Sequence, residues 1–90
     1  MYYLYMLECS NGALYTGYTT DLKRRYAEHQ AGSPKCKFTR AFPPRRIAAS
    51  WCFPCDLSDV LRLEAAVKAL TKQEKLQLIA DPDVLDSLLE

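Results

Sequence analysis

Apolar positions run almost unbroken from Tyr2 to Leu7, and this opening stretch predicts a buried strand ending near Cys9. Ser10-Asn11-Gly12-Ala13 follows. Asn-Gly is a strong hairpin signal because both residues tolerate positive φ. Leu14 to Thr19 is then the returning antiparallel strand, which sets Tyr5 and Tyr15 on neighbouring strands. Tyr3 and Tyr5 share one face by the period-two rule. Thr19, Thr20 and Asp21 offer N-cap groups for a helix over Leu22–Ala31, stopped by Gly32 and Pro34. Leu22 and Tyr26 lie one turn apart and pack inward. Arg25 and His29 have the same spacing, so their side chains meet on one face.

The second half alternates between breaks and helical spacing. Residues 33–45 read as a basic loop stiffened by Pro43-Pro44. Arg46 to Phe53 reads as a third strand around Ile47 and Trp51. Ser58 is the expected N-cap of a helix reaching Leu70, with Val60, Leu61, Val67 and Leu70 near the helical period. Thr71-Lys72-Gln73-Glu74 matches a capping box and opens a helix to Ala80. Asp81-Pro82 caps a short last helix, Asp83–Leu89. These elements predict one α+β domain over residues 1–90, a small three-stranded antiparallel sheet with helices packed around it.

Composition narrows the setting. The hydrophobic share of 49% is ordinary for a globular chain. No stretch approaches the roughly 20 apolar residues of a membrane span. The apolar start is too short for a signal peptide and has no basic segment before it. A cytoplasmic protein with reduced thiols is therefore expected, despite four cysteines. Net charge is only +1, but its distribution is uneven. Residues 1–55 hold eight basic and three acidic side chains, and residues 56–90 hold four and eight. No acid stands between Glu28 and Asp56, a stretch that carries Lys35, Lys37, Arg40, Arg45 and Arg46. A one-sided basic surface suits phosphate binding.

Three short pieces carry candidate chemistry: Tyr3-Leu4-Tyr5, Tyr15-Thr16-Gly17, and the Arg25/His29 pair, with Glu64 following much later. Taken with the stretch from Leu14 to His29, they resemble the GIY-YIG nuclease superfamily, most closely its small standalone bacterial members. The resemblance runs from about Tyr2 to Ile79. It implies a metal-dependent endonuclease that hydrolyses DNA phosphodiester bonds, with Tyr5, Tyr15, Arg25, His29 and Glu64 in the catalytic set. Glu64 would hold a single Mg²⁺ (or Mn²⁺), and Arg25 would clamp the phosphate, since guanidinium matches it in two-pronged geometry. An ordinary tyrosine has a pKa near 10, so Tyr15 needs help as a base at neutral pH. His29 is expected to work with Tyr15 to deprotonate the attacking water, with Tyr5 orienting that water or a phosphate oxygen. Lys23, Arg24, Lys35, Lys37, Arg40, Arg45 and Arg46 are the expected nucleic-acid contacts. Gly17 is expected to permit close approach at the phosphate site. A shallow aromatic site favours single-stranded or branched DNA, and selectivity is left to the basic segment, DNA shape or a partner protein.

The chain departs from the family pattern at several places. Tyr3 stands for glycine and Leu4 for isoleucine in the first motif, and Thr16 replaces the second isoleucine. Tyr18 stands where DNA-excision relatives carry a catalytic lysine. The asparagine found downstream in many relatives is absent, leaving Gln73 or Lys75 as stand-ins. Other readings compete. Glu64 sits four residues before Lys68 and is equally placed for a surface ion pair. Cys52-Phe53-Pro54-Cys55 is a CxxC before a helix, a redox-type placement, and Cys9 and Cys36 would complete a four-thiolate zinc site. A non-catalytic nucleic-acid-binding module would stack bases on Phe38, Phe42 and Trp51 near the basic segment.

Overall fold

A computed structural model describes the backbone of residues 1–89 and the side chains through Leu85. Strand β1 (Tyr2–Cys9) turns into β2 (Leu14–Thr19) and is followed by helices α1 (Leu22–Ala31) and α2 (Lys37–Ala41). Strand β3 (Pro44–Phe53), helices α3 (Leu57–Lys68) and α4 (Lys72–Ala80), and a 3₁₀ segment (Pro82–Leu89) complete the order. The sheet is antiparallel in the order β2-β1-β3. The chain is thus α+β, with a three-stranded antiparallel sheet and four helices, as the pattern predicts.

Apolar residues fill β1 because it is the central strand, covered on both faces. Leu4 and Met6 point into a core with Leu63 and Val67 of α3, Leu78 of α4 and Leu85. Tyr5, Leu7 and Cys9 point the other way, under Tyr15, Leu22, Tyr26 and Ile47. Period two therefore sorts one strand between two layers: α3, α4 and the 3₁₀ segment behind, α1 in front. Thr16, paired with Met6 across the sheet, is buried, and its hydroxyl has no hydrogen-bond partner.

Local signals explain most boundaries. Asp21 caps α1 by accepting from the Arg24 N–H at 3.1 Å, and Gly32 ends it at φ 71°. Thr71 and Glu74 form the expected reciprocal capping box, at 3.2 and 2.9 Å. Other expectations need correction. In the hairpin only Gly12 takes positive φ; Asn11 instead accepts from the Ala13 N–H through its side chain. The N-cap of α3 is Asp56, which accepts from the Asp59 N–H at 2.9 Å, so α3 starts before Ser58 and ends at Lys68. Leu63 rather than Leu61 faces the core. The segment expected as a loop over 33–45 contains α2, and its end already belongs to β3. Trp51 is not near the basic segment: it packs behind the sheet and donates from Nε1 to the Pro82 carbonyl at 3.1 Å.

Candidate active site

The stripe of α1 that packs on the sheet is Leu22, Arg25, Tyr26 and His29, related by steps of three and four residues, about one turn each. Its last member is completely buried: His29 is 0% exposed. The Tyr5 hydroxyl lies 2.9 Å from His29 Nε2, and the Thr39 hydroxyl lies 2.7 Å from Nδ1. Thr39 also donates to the Cys36 carbonyl at 3.3 Å. Tyr15 meets the imidazole edge-on, with ring centroids 5.1 Å apart. The imidazole thus hydrogen-bonds to Tyr5 and meets Tyr15 only edge-on. Register explains this. Leu7 stands opposite Tyr15, while Gly17 stands opposite Tyr5.

Gly17 acts here through Tyr5. A Cβ at position 17 would stand 2.6 Å from the Tyr5 hydroxyl and 2.7 Å from Cζ. The missing side chain makes room for the Tyr5 ring to reach His29, so the close approach is by a tyrosine of the neighbouring strand. Gly17 also lies within β2, which continues to Thr19.

Burial sets the electrostatics. It pushes the His29 pKa down to about 4, helped by the Arg25 charge and opposed by Glu28. Burial pushes the Tyr5 hydroxyl up to about 12, against the pull of the nearby Arg25 guanidinium. At neutral pH the pair is therefore neutral imidazole and neutral phenol. Arg25 also pairs loosely with Glu28, at 3.6 Å, and stays partly open to solvent.

Tyr5, Tyr15, Arg25 and His29 come together on the α1 face. Glu64 rises from α3, the layer behind the sheet, half-buried and 3.6 Å from Lys68 Nζ. The basic residues divide into three places. Lys23 and Arg24 lie on the first turn of α1, where Lys23 lines an open cavity with Tyr3, Asp21 and Tyr26. Lys35 precedes α2, and Lys37 and Arg40 line one concavity on it. Arg45 and Arg46 lie at the hairpin end of β3, bonded to the Ser10 carbonyl at 3.0 Å and to Glu8 at 3.3 Å. Tyr15 stacks on Phe38 at 5.9 Å, and Phe38 leans on Phe42 at 5.4 Å. Gln73 and Lys75 lie on the first turn of α4.

The four cysteines do not gather. All are free thiols, Cys9 and Cys36 buried, Cys52 exposed and Cys55 between. Among the described residues no group of three or more His, Cys, Asp or Glu side chains could hold a metal, so the four-thiolate zinc site is not formed. No helix among the described residues is long and apolar enough to cross a membrane. Thr39 is the site residue that sequence reasoning missed. It lies ten positions after His29 on a helix too short to show periodicity, and no local signal marks it.

Known proteins can be set against this geometry. The family model described as the GIY-YIG catalytic domain matches residues 1–77. A UPF0213 protein of Halalkalibacterium halodurans is 43% identical, over 88% of this chain and 82% of its own length. A UPF0213 protein of Streptococcus agalactiae is 47% identical, over 86% of this chain and 85% of its own. The solution NMR structure of the UPF0213 protein BH0048 from Bacillus halodurans aligns with a TM-score of 0.56 at 43% identity, covering 89% of this chain and 84% of that one.

Proposed function

The chain belongs to the GIY-YIG catalytic domain family, and on that premise we propose that it is a metal-dependent endonuclease that hydrolyses DNA phosphodiester bonds. Members of the family are generally endonucleases that use a divalent metal. The observation that carries the reading is the buried Tyr5–His29 hydrogen bond beneath the Arg25 guanidinium. It joins a proton donor–acceptor pair to a fixed positive charge where β1 meets one face of α1.

Arg25 takes the scissile phosphate. Doing so offsets the positive charge that helps hold His29 near pKa 4, so substrate raises the basicity of the imidazole. Tyr15, half-exposed beside the ring, orients the attacking water. The water gives a proton to the Tyr5 oxygen as the Tyr5 proton passes to His29 Nε2. The new oxygen–phosphorus bond forms, and the leaving oxygen departs and is protonated by solvent. Coupling the two transfers avoids a free phenolate, which a hydroxyl with a pKa of about 12 disfavours at neutral pH.

Glu64 would hold Mg²⁺ or Mn²⁺. The donor fits: it is a hard, half-buried carboxylate whose counter-charge, Lys68, is an exposed side chain 3.6 Å away that can swing aside. Mg²⁺ often takes one or two carboxylates and fills its other positions with water and phosphate oxygens. An ion held there would neutralise charge on a phosphate and leaving oxygen placed within reach of both Arg25 and Glu64.

We also infer a preference for single-stranded or branched DNA. Tyr15, Phe38 and Phe42 form a continuous aromatic run, and Phe38 and Phe42 are each 38% exposed. Unpaired bases can stack there while Lys35, Lys37 and Arg40 follow the backbone. Lys23 and Arg24 extend the phosphate contacts along α1, and Arg45 and Arg46 reach DNA only if they release Ser10 and Glu8. Further selectivity is left to a partner protein. The test is cleavage of labelled single-stranded, duplex and branched oligonucleotides with Mg²⁺, beside Glu64→Ala and Phe38→Ala. The expected result is cutting by wild type, none by Glu64→Ala, and a smaller single-strand advantage in Phe38→Ala. Folded wild type that cuts nothing would leave a nucleic-acid-binding module. Equal rates on matched single and double strands would remove the strand preference.

A further inference from the structure

Two arrangements of protons are open to the buried chain Tyr5–His29–Thr39–Cys36. In the first, His29 carries its proton on Nδ1 and donates to Thr39. Thr39 then donates to the Cys36 carbonyl at 3.3 Å, and Nε2 accepts the Tyr5 hydroxyl proton. In the second, Nε2 carries the proton and donates to the Tyr5 oxygen, while Thr39 donates to Nδ1. The second arrangement leaves Thr39 and the Cys36 carbonyl as two acceptors facing each other. It also leaves the Tyr5 proton without its His29 acceptor, the one side-chain partner of the Tyr5 hydroxyl among the described hydrogen bonds. His29 and Thr39 are each at most 1% exposed, so water does not repair the mismatch between Thr39 and the Cys36 carbonyl. The first arrangement satisfies every group.

We propose that Thr39 is a positioning residue that locks His29 in the Nδ1–H tautomer, which leaves Nε2 free to accept the Tyr5 proton. Helix α2 is then part of the catalytic apparatus. Its capping-turn carbonyl at Cys36 orients the Thr39 hydroxyl, the hydroxyl orients the imidazole, and the imidazole addresses Tyr5. Without that chain the tautomer is no longer imposed, and a histidine protonated on Nε2 faces Tyr5 with the wrong end. The inference rests on the nuclease reading for its catalytic consequence but not for the tautomer itself.

The chain holds a single histidine, so the imidazole of ¹⁵N-histidine-labelled protein reports His29 alone. Two-bond nitrogen–proton correlation spectra at neutral pH distinguish the tautomers. Wild type is expected to show protonated Nδ1 and bare Nε2. Thr39→Val keeps the shape and removes the acceptor, so it is expected to lose that pure pattern. Its kcat on an oligonucleotide should fall roughly 10- to 100-fold with KM little changed. Thr39→Ser is expected to restore both. A merely structural role would lower Tm and leave the tautomer and the kcat of the folded fraction as they were. A wild-type spectrum with protonated Nε2 overturns the proposal without any variant, as does a folded Thr39→Val that keeps both the Nδ1–H pattern and its kcat. If wild type cleaves nothing, the nuclease reading fails while the spectra still decide the tautomer.

Discussion

Replacing Gly17 with alanine tests the geometry of the site with one methyl group. The added Cβ would lie 2.6 Å from the Tyr5 oxygen, 2.7 Å from Cζ and 3.2 Å from Cε2. Gly17 does not adopt positive φ, so alanine meets no backbone penalty there. Backbone entropy even favours it, by about 0.5–1 kcal/mol. The contact must therefore account for any loss. Restoring an ordinary 3.4 Å separation asks the hydroxyl to move about 0.8 Å. Tyr5 is 1% exposed and cannot swing into solvent. Overpacking of this kind costs roughly 1–3 kcal/mol. The net destabilisation expected is on the order of 1–2 kcal/mol, or a Tm lower by about 5–15 °C for a chain of this size. The same shift disturbs a 2.9 Å hydrogen bond to His29, so cleavage by the folded fraction falls as well. Calorimetry and single-turnover cleavage measure the two effects. Combining Gly17→Ala with Tyr5→Leu should reveal coupling of at least about 1 kcal/mol, since the smaller side chain removes the clash. Gly17→Ala with unchanged Tm and unchanged cleavage would refute the argument.

Other expectations follow from single groups. His29 has a folded pKa near 4 against an ordinary 6.5, so the unfolded chain binds the extra proton first, and stability present above pH 6.5 is lost as pH falls toward 4. Denaturant unfolding from pH 7 to 4 should show a loss of about 3 kcal/mol in wild type beyond that in His29→Gln, and parallel curves would contradict the burial argument. The acid limb of kcat/KM, which reports the free enzyme, should lie near pH 4 to 5 instead of near 6.5. Thr16→Val removes a buried hydroxyl with no partner and should raise stability by about 1 kcal/mol in urea melts; a loss would mean that the hydroxyl is satisfied in solution. Thr71→Ala removes half of a capping box far from the Tyr5–His29 pair and should cost about 1 kcal/mol while the kcat of folded protein holds.

Legibility in the sequence followed the range of the interactions involved. Asp21 with Gly32, and Thr71 with Glu74, bound helices by bonds that span a few residues, and their residue types announce them. The apolar run of β1 announced burial as well. That the strand is central follows from β3 returning to its free edge, which depends on residues more than 30 positions away. Helix α2 was invisible for a different reason. Five residues make less than two turns, and its one buried side chain is a threonine whose role depends on His29. Trp51 was misplaced because alternation along β3 shows that faces differ, but does not say which layer each face meets.

The proposed catalytic set shows the same limit at a finer scale. Tyrosines, arginine and histidine could be named from the motif, and His29 was expected to work with Tyr15, yet the chain alone does not fix which phenol the imidazole hydrogen-bonds. Tyr5 and Tyr15 are chemically identical, and both lie within 6 Å of the imidazole by ring centroid. What separates them is register, and register was set by the turn. The Ser10–Ala13 loop closes with the Cys9 N–H donating to the Ala13 carbonyl at 2.9 Å, which places Leu7 against Tyr15 and Gly17 against Tyr5. Only the tyrosine that faces a glycine has room to lay its ring across the neighbouring strand and reach the helix above. A one-residue slip would bring Thr16 or Tyr18 opposite Tyr5 and send its alternation to the wrong face. Two residues without proton chemistry of their own, Gly12 through the turn and Gly17 through an absent methyl, thus decide which phenol is paired with His29.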